Sequence, residues 1–205
     1  MPGSVNTLFE LDTEEYLNET FEGLELAGQE LRRKRFEACH FLGCDFSDAR
    51  FERCEFIDCQ FSQCNLSLVD LAFSRFSEVS FAECKLLGIN WGRASWPQLS
   101  LSAPINFSDC LLNDSSFFGL SLSGLVMTGC RAHEVDFRDG NFNGGQFAGT
   151  DFSNSLFANT QLAKADFVDA TQYDLDVRHN NVQQARFDRF EAVRLLAGLG
   201  ICIVD

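Results

Sequence analysis

Nine cysteines in 205 residues are the side chains in this sequence best equipped for chemistry. Cys39, Cys44, Cys54, Cys59, Cys64 and Cys84 are separated by multiples of five, and Cys110 and Cys130 by twenty. Thiols in such a series could ligate zinc, or pair as disulfides. The series does not belong to cysteine alone, however. Ala49, Val69, Ser74, Val79, Ile89 and Ala94 continue the same spacing, and later Ser115, Val135, Thr150 and Ala165 do so. Packing explains a slot that accepts Cys, Ala, Ser, Val and Thr, whereas metal coordination does not. The cysteines are expected as reduced core residues, with no metal and no cofactor.

The remaining candidates for catalysis are sparse. His40, His133 and His179 stand far apart and share no motif, and the chain carries no phosphate-binding loop, nucleophile elbow or dinucleotide fingerprint. No catalytic residue and no enzymatic activity are expected. With 16 Lys and Arg against 30 Asp and Glu, the formal charge is −14, which reads as an acidic surface without a basic patch and argues against direct nucleic-acid binding. No apolar run approaches the ~20 residues that cross a bilayer, and no basic, then apolar, leader opens the sequence. A cytoplasmic protein without a membrane partner is expected.

Two residues after each member of the small series stands a large apolar residue. These centres run from Phe36 through Phe41, Phe46, Phe51, Phe56 and Phe61 to Trp91, Trp96 and Leu101, five apart without a gap. After Ser102 to Asn106 the register moves by one residue and resumes at Phe107, continuing to Phe167 and closing with Val177, Val182 and Phe187, with only Ala132 and Gln172 falling short. Weaker matches reach back through Leu31 and Leu26 to Phe21.

Neither regular element accommodates a period of five. Five residues of α-helix rotate a side chain by roughly 140°, and five residues of flat strand reverse its face. A chain that turns a corner once per repeat keeps every centre pointing inward, which makes a solenoid. Four right-angled corners would bring residues twenty apart into register, although the period by itself does not choose four sides over three.

Repeats such as Cys44-Asp45-Phe46-Ser47-Asp48, Thr150-Asp151-Phe152-Ser153-Asn154 and Ala165-Asp166-Phe167-Val168-Asp169 resemble the pentapeptide-repeat family. The resemblance implies an all-β, right-handed quadrilateral β-helix, here with a short C-terminal helix. The expected organisation is an N-terminal cap over residues 1–20, the β-helix over 21–187, and a capping and dimerising segment over 188–205. Asp188 and Glu191 have the spacing of a capping box, and Phe190, Val193, Leu196 and Leu199 then recur at helical spacing.

The segment Arg194 to Ile201 resembles the C-terminal stretch through which the Qnr-type, topoisomerase-protecting members of the family dimerise. Phe190, Val193, Leu196, Leu199 and Ile201 are therefore the expected dimer interface. Leu86 to Trp91, Trp96-Pro97 and Cys110 to Asp114 resemble the albicidin-resistance type, which guards DNA gyrase against a natural toxin. The implied function is DNA mimicry toward DNA gyrase, with topoisomerase IV as a further target, by a homodimer. A non-enzymatic scaffold for an unrelated partner is the alternative.

Two further expectations follow. Ser102, Ala103, Pro104, Ile105 and Asn106 form the candidate partner-contact loop, since Pro104 cannot donate to a ladder; no longer loop of the kind that interrupts the repeat in Qnr proteins is evident. About 170 repeat residues at twenty per turn and ~4.8 Å per turn give a rod of roughly 40 Å. A dimer of formal charge −28 would carry about one charge per 2.9 Å, against one per ~1.7 Å in duplex DNA.

Overall fold

Every parallel pairing below residue 91 joins residues twenty apart: Tyr16 with Phe36, Phe41 with Phe61, Leu31 with Phe51. The computed structural model describes residues 14–97, 103–201 and 204. In it the chain winds as a right-handed, four-sided β-helix of about eight turns. The longest ladder forms the second face, where six strands stack from Thr20–Glu22 to Val126–Thr128. The ladder begins at Glu15–Leu17, inside the segment expected to be a cap, so Tyr16 already stacks on Phe36.

The centres form four interior columns, and the columns show why the sequence favours phenylalanine. Rings in one column lie parallel, as in Phe36 on Phe56 (5.1 Å, 9°), Phe41 on Phe61 (4.5 Å, 9°) and Phe117 on Phe137 (5.4 Å, 3°). Neighbouring columns meet edge to face, as Phe36 meets Phe41 at 73° and Phe137 meets Phe142 at 87°. A phenyl ring satisfies both geometries with no polar atom to place, and each contributes about 1.5–3 kcal/mol of burial before entropy. Tyrosine cannot do this. The buried hydroxyls of Tyr16 and Tyr173 have no hydrogen-bond partner, which fits a composition of 22 Phe to 2 Tyr.

The corners use two chemistries. In closed corners, such as those after Phe46, Leu66, Leu112 and Leu162, the N–H three residues on donates to the centre's carbonyl. The corners that lead into the eight described cysteines lack that bond. At the corners before Cys44, Cys54 and Cys130 a side chain from the coil above bonds both the centre's carbonyl and the cysteine's N–H, whereas above Cys59 the slot holds Val79 and makes no such bridge. Cys64 Sγ donates to the Phe41 carbonyl at 3.3 Å and accepts from the Cys44 N–H at 3.4 Å. Ser74 makes the same bridge to the Phe51 carbonyl and the Cys54 N–H, and Thr150 to the Met127 carbonyl and the Cys130 N–H. The thiols are thus core residues, but hydrogen bonding as well as volume selects Cys, Ser or Thr. Burial pushes the Cys54 and Cys59 thiols up to about 11, so the S–H needed for the bridge persists at neutral pH.

The break near Pro104 is larger than the repeat register suggests. Phe81 pairs with Phe107 and Val79 with Ile105, a separation of 26 where every coil below has 20. Six extra residues therefore leave the stack. Trp96 still lies on Phe76 (5.9 Å, 25°), and the Val79 N–H donates to the Pro104 carbonyl at 2.9 Å, so the extra residues enter the sequence between Trp96 and Pro104. A loop does interrupt the repeat, against the expectation of none. The interior does not divide into two stacks: Phe81 lies on Phe107 (5.4 Å, 18°) and Trp91 on Phe117 (5.6 Å, 13°). Leu101, counted among the centres, lies outside the described residues.

Near the top, Gln172 is exposed while Tyr173 and Leu175 are buried beneath the final turn, and Val177 is only half-buried. The terminal helix, Glu191–Leu199, is a 3₁₀ helix rather than an α-helix. The anticipated capping box does not form. Asp188 Oδ1 accepts from the Phe190 N–H at 2.8 Å, while Glu191 turns away to accept from the Gln172 N–H at 2.6 Å, pinning the helix to the last coil. Arg194 adds bonds to Asp174 at 2.9 and 3.1 Å. A Cβ on Gly198 would stand 3.1 Å from the Asp176 Cα, a measure of how closely helix and coil approach.

Candidate interaction surfaces

With three residues per turn, a 3₁₀ helix places residues i, i+3 and i+6 in line. Phe190 and the helical Val193, Leu196 and Leu199 are spaced in this way. Phe190, Val193, Leu199 and the following Ile201 are exposed, at 69, 47, 44 and 50%, and Leu196 is half-buried. The alternate line, Ala192, Leu195 and Gly198, is turned toward the last coil: all three are half-buried, and Leu195 packs against the core. The structure therefore gathers all five residues singled out from the sequence onto the free side of the lid.

The candidate loop fares differently. Ser102 lies outside the described residues. Pro104 is buried, and Ile105 is fully buried because it fills a small-residue slot in the strand Ile105–Ser108. Neither can touch a partner. Ala103 is half-buried, and Asn106 is exposed beside Ser80. Next to the emerging loop, a groove of about 520 Å³ opens between Phe76, Trp96, Pro97 and Pro104. Trp96 is held in its wall by an Nε1–H bond to the Trp91 carbonyl at 2.9 Å.

Electrostatically, the chain is not uniform, and the expectation of no basic patch is corrected by the stacking. Residues twenty apart in sequence become neighbours, so Arg32, Arg33, Lys34, Arg35, Arg50, Arg53, Arg75 and Arg93 gather along the corner between the fourth and first faces. Eight of the 16 cations stand there with seven carboxylates, Glu14, Glu15, Glu30, Glu37, Glu52, Glu55 and Asp70, for a local +1; the other 8 cations and 23 carboxylates sum to −15. Glu52 is the buried hub, receiving Arg32 at 2.9 Å, Arg53 at 2.8 Å and Arg50 at 3.2 Å. The hydrogen bond from Arg32, with the charges of all three arginines, holds its carboxyl below the ordinary range against the cost of burial. Asp70 continues the network to Arg93 at 2.6 Å.

The histidines remain apart, as the sequence suggests: His40 meets Ser62, His133 meets Asp151, and His179 meets Asp176. Among the described residues, no group of three or more His, Cys, Asp or Glu could hold a metal ion, and no helix is long and apolar enough to cross a membrane.

The model for the pentapeptide repeat region matches residues 34–101 and 89–167. The chain belongs to the pentapeptide-repeat family. Among solved structures, a trypsin-treated form of QnrB1, a plasmid-mediated fluoroquinolone resistance protein, is 21% identical with a TM-score of 0.58, the match covering 94% of this chain and 92% of that one. HetL, a pentapeptide repeat protein involved in heterocyst differentiation regulation from the cyanobacterium Nostoc sp. strain PCC 7120, is 13% identical with a TM-score of 0.47, covering 91% and 92%. No curated protein matches. The likeness to QnrB1 is one of fold, and this pentapeptide-repeat protein shares it over nearly the whole of both chains.

Proposed function

We propose that this protein binds DNA gyrase, with topoisomerase IV as a second target, and relieves complexes that a gyrase-poisoning drug or toxin has stabilised. The observation that carries the reading is the fold shared with a fluoroquinolone resistance protein over nearly the full length of both chains. The charge outside the arginine corner, −15, supports mimicry of a DNA segment, since such a field steers a rod toward a basic saddle. The exposed line of Phe190, Val193, Leu196, Leu199 and Ile201 supports tail-to-tail dimerisation, which doubles the rod. The protein acts as a cytoplasmic ligand, without catalysis, cofactor or direct contact with nucleic acid. Asn106, Ala103 and the emerging Pro97 are the candidate contacts at the loop.

The test is competition for gyrase. The purified protein should bind the gyrase holoenzyme and lose that binding as linear duplex DNA is added. Binding that is indifferent to DNA, or no effect on supercoiling over a wide range of protein concentration, would count against mimicry.

A further inference from the structure

We propose that the arginine corner is a docking site for an acidic protein segment that also inserts an apolar side chain beside Phe73. This surface is opposite in sign to the rest of the rod, and the proposal does not rest on the gyrase reading.

Phe73 is the starting observation. Its φ of 58° is in the left-handed region, and it is the only aromatic residue there among the described residues. A bulky side chain is strained in that conformation. The same corner position in later coils holds Gly119, Asp139 and Asn159, residue types that adopt the conformation readily. Phe73 is also 61% exposed, so the strain gains no burial. A strained apolar residue on the surface does nothing for the fold, and such positions concentrate at binding sites.

Its surroundings define the partner's chemistry. The Arg53 guanidinium lies 5.5 Å from the Phe73 ring, and a cleft of about 290 Å³ opens between Arg53, Phe73, Arg75 and Ser95. That volume accommodates a single large apolar side chain. The arginines are not used up by their intramolecular pairs. Arg53 commits Nη1 to Glu52, and Arg93 commits Nε and Nη2 to Asp70, leaving other N–H groups of each five-donor fork pointing to solvent. Arg33 has no ion pair among the described residues, and it stands in the same corner column as Arg53 and Phe73.

Charge complementarity favours an acidic polypeptide over a nucleic acid. Glu30, Glu55 and Asp70 are interleaved with the arginines, partly exposed, and would oppose a continuous row of phosphates. An acidic segment spaces its carboxylates with neutral residues, so it can answer the cations and avoid the anions. At physiological ionic strength, screening over ~8 Å separates this local +1 from the opposing charge elsewhere.

The experiment uses the full-length protein at physiological ionic strength and three fluorescent probes: a peptide of alternating glutamate and leucine, its lysine counterpart, and a short oligothymidylate. The glutamate–leucine peptide should bind about tenfold or more tightly than either of the others. Phe73→Asn and Arg93→Gln should each weaken it about tenfold, whereas Arg138→Gln, on the fourth face beyond the break, should not. Phe73→Asn suits the left-handed backbone, so lost binding cannot be attributed to misfolding. Failure of the glutamate–leucine peptide to bind, tighter binding of oligothymidylate, or full affinity in Phe73→Asn would each overturn the proposal.

Discussion

The coils below residue 91 and those above residue 105 build the same square section with different chemistry. Below the break, strands of three residues alternate with open corners tied by cysteines, and arginines crowd one outer corner. Above it, most coils touch through single bridges, most corners close on their own backbone although Thr150, Ser155 and Asn180 still tie the corners before Cys130, Val135 and Thr160, and the first face carries Ser121, Asn141, Gln161 and Asn181 in place of charge. An open corner leaves an N–H for a side chain of the next coil to satisfy, and a closed corner satisfies its own. Side-chain ties are therefore more frequent in the lower half and backbone closure in the upper, while ring stacking is common to both.

Four sets of substitutions bear on that contrast, taken from the largest expected effect downward. Removing a stacked ring should be costly in either half: Phe61→Ala or Phe137→Ala should lower unfolding free energy by about 3–5 kcal/mol in urea titrations. Equal costs would show that the ring columns, unlike the corners, are common to both halves.

Replacing a tie should separate the halves. Cys64→Ala leaves the Cys44 N–H buried and unpaired, a loss of about 1–3 kcal/mol, whereas Cys64→Ser should recover most of it. Ala165→Ser, whose hydroxyl would face the corner after Phe142 that the Gly145 N–H already closes, should gain almost nothing. A harmless Cys64→Ala would reduce the thiols to space-fillers.

Acid should act on the lower half through Glu52. Its folded carboxyl binds a proton less readily than the unfolded one, so its contribution is present above the ordinary carboxylate pKa and lost as pH falls through the lower folded value. Glu52→Gln should accordingly flatten the fall in stability below about pH 4.5. The smallest effect should be a gain: Phe73→Asn relieves left-handed strain and should raise stability on the order of 1 kcal/mol, read as a higher thermal midpoint.

How much of this was legible in the sequence depends on the length over which each feature is encoded. The solenoid follows from a five-residue period that repeats in every coil, from Phe36 to Phe167, while its four sides followed from the resemblance to the pentapeptide-repeat family. The role of Cys64 does not, because the carbonyl it serves is 23 residues away and no local pattern marks it. A shift of one residue and an insertion of six are the same modulo five, so the centres on either side of Pro104 could not reveal the loop. Ile105 was assigned to that loop although it occupies a small slot two residues before Phe107, the same periodicity that placed the cysteines inside. The arginine corner vanished in the net charge because its members are spread from residue 32 to 93 and meet only when coils stack. The terminal line of Phe190, Val193, Leu196 and Leu199 was read with α-helical spacing in mind and keeps its alignment on a 3₁₀ helix, since i and i+3 lie close together on both helix types.

The measurement that bears most directly on the central claim is a titration of this protein into gyrase, supercoiled DNA and a fluoroquinolone or a gyrase-directed toxin, scoring cleaved DNA after denaturation. The account predicts that drug-stabilised cleavage falls as the protein is added, and that Val193→Asp, which places a charge in the exposed apolar line, blunts the effect while leaving the β-helix folded. Cleavage that stays unchanged at every protein concentration and with every gyrase poison tried would contradict it.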